Sequence, residues 1–165
     1  MIAYNLKRIT DKGFGLFTDD RLVKNQLIFR VNLNIYRKFS PQQLKVFLSK
    51  NPEIDDNHVN HAGKETYVLE ETPASYLNHS CDPNCYFNFL SETIYEVRAF
   101  REIEKGEELT HDYTASTLDQ FNDNEFWKMK CNCNSKNCRK IITGDFYKMP
   151  IEWQDKFKSF LPEGY

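Results

Sequence analysis

A 165-residue chain with 40% hydrophobic and 15% aromatic residues can bury one packed core, with room for at most a small appendage. Its 22 basic and 24 acidic side chains leave a formal charge of −2, which excludes a chain built as a whole to bind nucleic acid or an anionic membrane. The N-terminal run has no apolar stretch of signal-peptide length, and no segment approaches a membrane span. The expected setting is therefore intracellular, cytoplasmic or nuclear, and reducing. There, five cysteines call for metal, catalysis or burial before disulfides.

Residues 2–36 alternate short apolar clusters with turns at Asp11-Lys12-Gly13 and Thr18-Asp19-Asp20, and Leu27-Ile28-Phe29 with Val31 and Leu33 reads as strand. Ser40-Pro41-Gln42-Gln43 is a helix start, with Ser as cap and Gln three residues on. Leu44, Phe47 and Leu48 supply its stripe, and Asn51-Pro52 stops it. The polar stretch 52–66, with His58 and His61, reads as a loop, and Thr66 to Leu69 as a short strand. Tyr86–Leu90 and Thr93–Phe100 read as paired strands about Ser91-Glu92. Lys105-Gly106 turns the chain into a strand from Glu108 to Tyr113. A polar helix is expected from about Leu118 to Met129, and Trp153, Phe157 and Phe160 or Leu161 mark a C-terminal helix. Short strands, few helices and frequent turns make a mainly β chain with short helices.

Four segments carry chemistry. Lys12-Gly13-Phe14-Gly15 is a weak signal alone, because paired glycines near turns are common. The run Asn78-His79-Ser80-Cys81-Asp82-Pro83-Asn84-Cys85 is strong, since Asn, His and two Cys directly after an apolar pair are costly for an ordinary loop. Gly106-Glu107-Glu108-Leu109-Thr110-His111-Asp112-Tyr113 is intermediate. Cys131, Cys133 and Cys138 offer three thiolates within one short segment, and zinc prefers four tetrahedral ligands.

In this order the four segments, from about Gly13 to about Gly144, resemble the SET-domain lysine methyltransferases with a cysteine-rich post-SET tail. The resemblance implies a SET fold of small curved sheets, with a pseudoknot-like crossing and a zinc-stapled C-terminal tail. It divides the chain into a catalytic domain at 1–115, a post-SET-like zinc segment at 116–144 and a C-terminal helical extension at 145–165. It implies S-adenosylmethionine as cofactor, bound by Gly13, Phe14, Gly15, Asn78, His79 and Tyr113. Tyr113 takes the place of the family's active-site tyrosine. Cys81 becomes the fourth ligand of one structural zinc, beside Cys131, Cys133 and Cys138. Cys85 is left over, as a buried thiol or a rival ligand.

The chemistry of lysine methylation fits such a site. Lysine has a reference pKa of about 10.4, so at neutral pH its nucleophilic form is roughly one part in a thousand, a cost on the order of 4–5 kcal/mol. A site must strip water from the ammonium, surround it with neutral groups and align nitrogen, methyl and sulfur. A phenol and an aromatic channel suit this work, and Tyr67 and Tyr86 are loose candidates to line that channel. The ordinary reading of Tyr113 is a core tyrosine at a strand end, and that of His79 a satisfied buried histidine holding the crossing.

Three departures from the family pattern stand out. His111 occupies a place where the family has Phe or Tyr and which influences how many methyls are added. As a catalytic-site residue, an imidazole there can hold a water and can titrate near 6.5, adding pH dependence, while burial beside a sulfonium and an incoming lysine should keep it neutral. Ser75-Tyr76 stands where Arg-Phe is frequent, and no cysteine-rich pre-SET segment precedes the motifs. The expected partner is a protein or peptide carrying lysine, a histone or another basic protein, with no direct nucleic-acid or membrane contact. The basic residues Lys128, Lys130, Lys136, Arg139 and Lys140 follow the acidic Asp119, Asp123 and Glu125. They read as a mixed solvated surface, or the acidic part as a rim for a basic peptide. Two other functions compete: methylation of a small amine or free amino acid, in a narrow pocket closed by Trp153 and Phe157, and a non-catalytic zinc-stapled binding module.

Overall fold

A computed structural model describes residues 2–9, 13–54, 58–63, 65–117 and 127–164. Strand β1 (Tyr4–Ile9) pairs antiparallel with β2 (Gly13–Thr18), and Gly13 enters β2 at φ +76°, a conformation that favours glycine. Strand β3 (Leu27–Asn32) leads to helix α1 (Pro41–Lys50). The helix starts as its sequence specifies. Ser40 Oγ accepts from Gln43 N–H, Gln43 Oε1 accepts from Ser40 N–H, and Pro41 opens the first turn.

Beyond α1 the polar stretch is not all loop. Val59–His61 forms β4, antiparallel to β5 (Tyr67–Leu69). Its alternation is too short to outweigh the surrounding polarity in sequence, and Glu70 at the base supplies a tertiary reason for it, described below. Strand β6 (Asn78–His79) follows, then β7 (Cys85–Ser91) and β8 (Ile94–Ala99) as a hairpin. In the three-stranded sheet β8 lies between β3 and β7, so Tyr95, Glu96 and Val97 are all buried. Leu16, Leu22, Val31, Leu33, Val68, Leu77, Val97, Ile103 and Leu109 form the core with Tyr95. Each such side chain stabilises the fold by about 1.5–3 kcal/mol relative to exposure.

The expected strand from Glu108 to Tyr113 is shorter than its pattern. Only β9 (Thr110–His111) pairs as a strand, with one bridge from Phe17 to Glu108. Asp112 then caps a 3-10 turn by accepting from Thr114 N–H, which ends the extended run before Tyr113. The helix expected from Leu118 to Met129 falls mostly on 118–126, outside the described residues. It does not reach Met129, because Lys128–Lys130 is β10, paired with β11 (Ile141–Thr143). Helix α2 (Ile151–Lys158) buries Phe157, as the spacing predicts. Among the described residues no helix is long and apolar enough to cross a membrane.

Candidate active site and cysteine cluster

The site is built on the crossing of β6 and β9. These strands are parallel, with Asn78 opposite Thr110 and His79 opposite His111. Asn84 locks the two passes together: its Nδ2 donates to Glu108 O at 2.8 Å and its Oδ1 accepts from Thr110 N–H at 2.8 Å. Ser80 N–H adds a bond to His111 O.

Asn78 joins a third segment. Its Nδ2 donates to Glu108 Oε1 and to the backbone oxygen of Phe14. This explains Gly15. A Cβ there would lie 2.5 Å from Ile9 Cδ1, 2.8 Å from Glu108 Oε1 and 3.0 Å from Asn78 Nδ2, too close for any side chain without displacement. The two glycines thus serve separate needs, a left-handed φ at Gly13 and close approach at Gly15.

His79 is 7% exposed and its ring serves the crossing. Nδ1 accepts from Tyr113 N–H at 3.2 Å, so the proton resides on Nε2, which faces Cys81 Sγ at 3.2 Å. The Tyr113 ring packs edge-on against His79, and its hydroxyl donates to Leu77 O at 3.3 Å.

Two spaces lie about these residues. On one side lies a cleft of about 240 Å³, bordered by Gly13, Phe14, Asn78, His79 and Tyr113, the residues expected to bind cofactor. On the other lies a narrow pocket of about 10 Å³ lined by the rings of Tyr86, Phe87, His111, Phe157 and Phe160 and by Asp112, Ala115 and Ser116. Tyr113 borders the cleft and His111 the pocket, with ring centres 4.9 Å apart. Tyr86 thus borders the pocket, whereas Tyr67 lies on β5 against His61 and borders neither space. Trp153 packs on Phe146 and Phe157 and does not line the narrow pocket.

His111 is buried flat against Phe87, ring centres 4.1 Å apart and 8° from parallel. Burial, with a smaller effect from His79, lowers its pKa to about 3. The titration expected near 6.5 is thereby moved out of the working range, and the imidazole is neutral where an amine would react.

The cysteines converge as a group. The sulfurs of Cys81, Cys131, Cys133 and Cys138 all lie within 4.8 Å of one another, with Cys81 and Cys131 3.7 Å apart. Four thiolates about 2.3 Å from one ion lie about 3.8 Å apart, so the cluster could hold a tetrahedral metal. Burial raises the Cys81 and Cys131 thiols. Burial opposes ionisation of Cys133 too, but hydrogen bonds from neighbouring backbone and from Ser135 outweigh it and bring it to about 6. Cys85 is fully buried beside Asn84 and stands outside the cluster, its thiol pushed up by burial.

Sequence reasoning missed the residue that joins this cluster to the crossing. Arg139 donates to Cys81 Sγ from both its backbone N–H and Nε, and from Nη2 to Asp112 Oδ1 at 2.6 Å. Burial raises the Asp112 carboxyl, and Arg139 opposes that shift. In sequence Arg139 is one of several cations in a basic tail, and nothing local sets it apart. His58 and Tyr76, packed edge-to-face, also border the cleft, as do Cys131 and Cys133. His58 could have been noticed only as one of two histidines in a polar stretch.

Residues 13–114 match the SET domain family. Histone-lysine N-methyltransferase 2D of Homo sapiens is 32% identical over 139 residues, which is 82% of this chain and 2% of that protein. Histone-lysine N-methyltransferase trithorax of Drosophila virilis is 38% identical over 93 residues, 54% of this chain and 2% of that protein. The chain thus spans a small part of the length of these relatives. Among solved structures, the methyltransferase domain of human Histone-lysine N-methyltransferase SETMAR is similar in fold, with a TM-score of 0.60 and 20% identity, over 85% of this chain and 57% of that one. The chain belongs to the SET-domain family.

Proposed function

We propose that this SET-domain chain is an S-adenosylmethionine-dependent protein-lysine N-methyltransferase whose substrate is a histone or another basic protein. The observation that carries this reading is the closeness of Tyr113, which borders an open cleft, to His111, which borders a small aromatic pocket, their ring centres 4.9 Å apart. Bound in the cleft, S-adenosylmethionine supplies a methyl on a sulfonium, open to attack by an amine.

The chain's own residues do the rest. Backbone at Gly13 to Gly15, with Asn78 and His79, would hold the cofactor. The rings of Tyr86, Phe87, Phe157 and Phe160 exclude water from the lysine side chain, which favours its neutral amine. Neutral His111 adds no cation to repel the incoming ammonium. The Tyr113 hydroxyl orients the amine at the edge of the cleft that the residue borders. The four cysteines would hold one structural zinc. A full set of thiolates leaves no open position for hydrolytic chemistry.

Tyr113→Phe tests this reading. We expect turnover to fall on the order of 10²-fold while cofactor affinity measured by calorimetry stays within about threefold. Wild-type turnover would remove Tyr113 from the chemistry. A second reading, methylation of a small amine or free amino acid, draws on Phe157 lining the narrow pocket. Labelled methyl transfer to a cell extract, divided into protein and low-molecular-weight fractions, separates them: label on protein supports the first, label only on small molecules the second.

A further inference from the structure

Glu70 is a buried carboxyl that the proposed reaction does not use. It is 1% exposed and ends the β4–β5 hairpin. Its Oε2 accepts from Tyr95 OH at 2.6 Å and from Asn60 Nδ2 at 2.9 Å, while Oε1 accepts from the Thr72 hydroxyl. Three donors on one carboxyl are enough to keep it fixed in an apolar interior. Burial pushes its pKa up, and the hydrogen bonds from Thr72 and Tyr95 work against that shift.

Tyr95 carries the constraint onward. Its ring lies on Phe87 with centres 4.6 Å apart and planes 13° from parallel. Phe87 in turn lies on His111 at 4.1 Å and 8°. Phe89 packs at an angle against both Phe87 and Tyr95 and limits sideways motion. A stack of this kind transmits orientation, because each ring can tilt only by losing contact with the next. The stack is held by polar contacts at both ends: the Tyr95 hydroxyl on buried Glu70 at 2.6 Å, and the longer contact of Ser116 Oγ with His111 Nδ1 at 3.4 Å. At the far end is the imidazole that shapes the pocket for the amine.

We propose that Glu70 is a positioning residue for the acceptor pocket: by tethering Tyr95 it fixes the plane of Phe87 and, through Phe87, of His111, and so the room left for an amine that already carries methyls. This rests on the methyltransferase reading for its consequence, but not for its geometry. A shift of about 1 Å at a reacting group is enough to change rates by about 10²-fold, so a loosened ring would register in the products.

Two variants test the tether at different links. Tyr95→Phe removes the hydroxyl and keeps all three rings. Glu70→Gln keeps an acceptor oxygen for Tyr95. We expect Tyr95→Phe to raise the most methylated product of a single lysine peptide at least about threefold relative to the monomethylated one, with cofactor affinity unchanged. Glu70→Gln should stay within about twofold of wild type. Mass spectrometry reads both. A second readout needs no activity: the ring protons of His111, assigned by comparison with His111→Gln, should shift and broaden in Tyr95→Phe but not in Glu70→Gln, because ring stacking shields them. Wild-type product ratios in Tyr95→Phe, or an unmoved His111 resonance, would overturn the tether even if the melting temperature falls. Absence of methyl transfer by the wild-type chain, with the His111 resonance still moving in Tyr95→Phe, would overturn the methyltransferase reading and leave the tether standing.

Discussion

The β6–β9 crossing is held from two sides by opposite kinds of chemistry. On the cysteine side are thiols, a guanidinium and a carboxylate: Cys81 with Cys131, Cys133 and Cys138, then Arg139 and Asp112. On the ring side are Phe87 and Tyr95, with Glu70 beyond them. The first side asks for an ion to bring its sulfurs together, and the second is complete within the chain. We infer that a metal on the cysteines would stabilise the cleft that Cys131 and Cys133 border, while the rings set the shape of the pocket lined by Phe87 and His111.

Metal removal should separate the two sides most sharply. Structural zinc sites carry about 10–16 kcal/mol of apparent binding energy, so chelation or Cys131→Ser should abolish stoichiometric metal by elemental analysis. Cofactor affinity should fall at least about tenfold with it, because Cys131 and Cys133 border the cleft. The His111 ring resonance should persist. Full methyl transfer from a metal-free chain would break the comparison, as would loss of metal in Cys85→Ser with retention in Cys81→Ser.

Cutting the link between the cysteine side and the crossing should cost less. Arg139→Leu leaves Asp112, fully buried at its side chain, without its cation. The expected loss is about 3–5 kcal/mol in urea unfolding. Arg139→Lys should recover only part, because an ammonium cannot span the sulfur and the carboxylate as a planar guanidinium does. An unchanged midpoint for Arg139→Leu would mean that the tail and the crossing are energetically separate.

The ring side predicts the smallest effect, and one with a defined sign. The folded-state pKa of His111, about 3, is below the ordinary 6.5, so the unfolded chain binds more protons between these values. Stability is therefore complete above pH 6.5 and falls as pH drops towards 3, by about 2 kcal/mol at pH 5 from this group alone. The loss should vanish in His111→Phe, whose unfolding curves at pH 7 and pH 5 give the difference directly. The same slope in both proteins would assign it to other groups.

The sequence made the contents of the crossing legible and left its supports largely illegible. Asn78, His79, His111 and Tyr113 sit in two short runs of unusual chemistry, and the cysteines announce themselves by spacing. Helix α1 was readable because its capping box is local. Glu70, Phe87, Tyr95 and His111 come from four separated segments, and their stacking leaves no periodic trace. Nor does the pairing of Arg139 with Asp112, since a cation in a basic tail looks solvated until the fold buries it. Val59–His61 was hidden because a three-residue strand gives alternation too little length to show.

The parallel pairing of Asn78 with Thr110 and of His79 with His111 also orders events in time. It closes a loop of about thirty residues, and the entropy of that closure is recovered only when the intervening β7–β8 hairpin has already drawn the ends together. Local pairs such as β1–β2 and β7–β8 can form early, whereas the residues of the candidate active site meet in a late step. A refolding chain should regain most of its secondary structure before it regains the cleft, so cofactor binding would report completion of folding and not merely its onset.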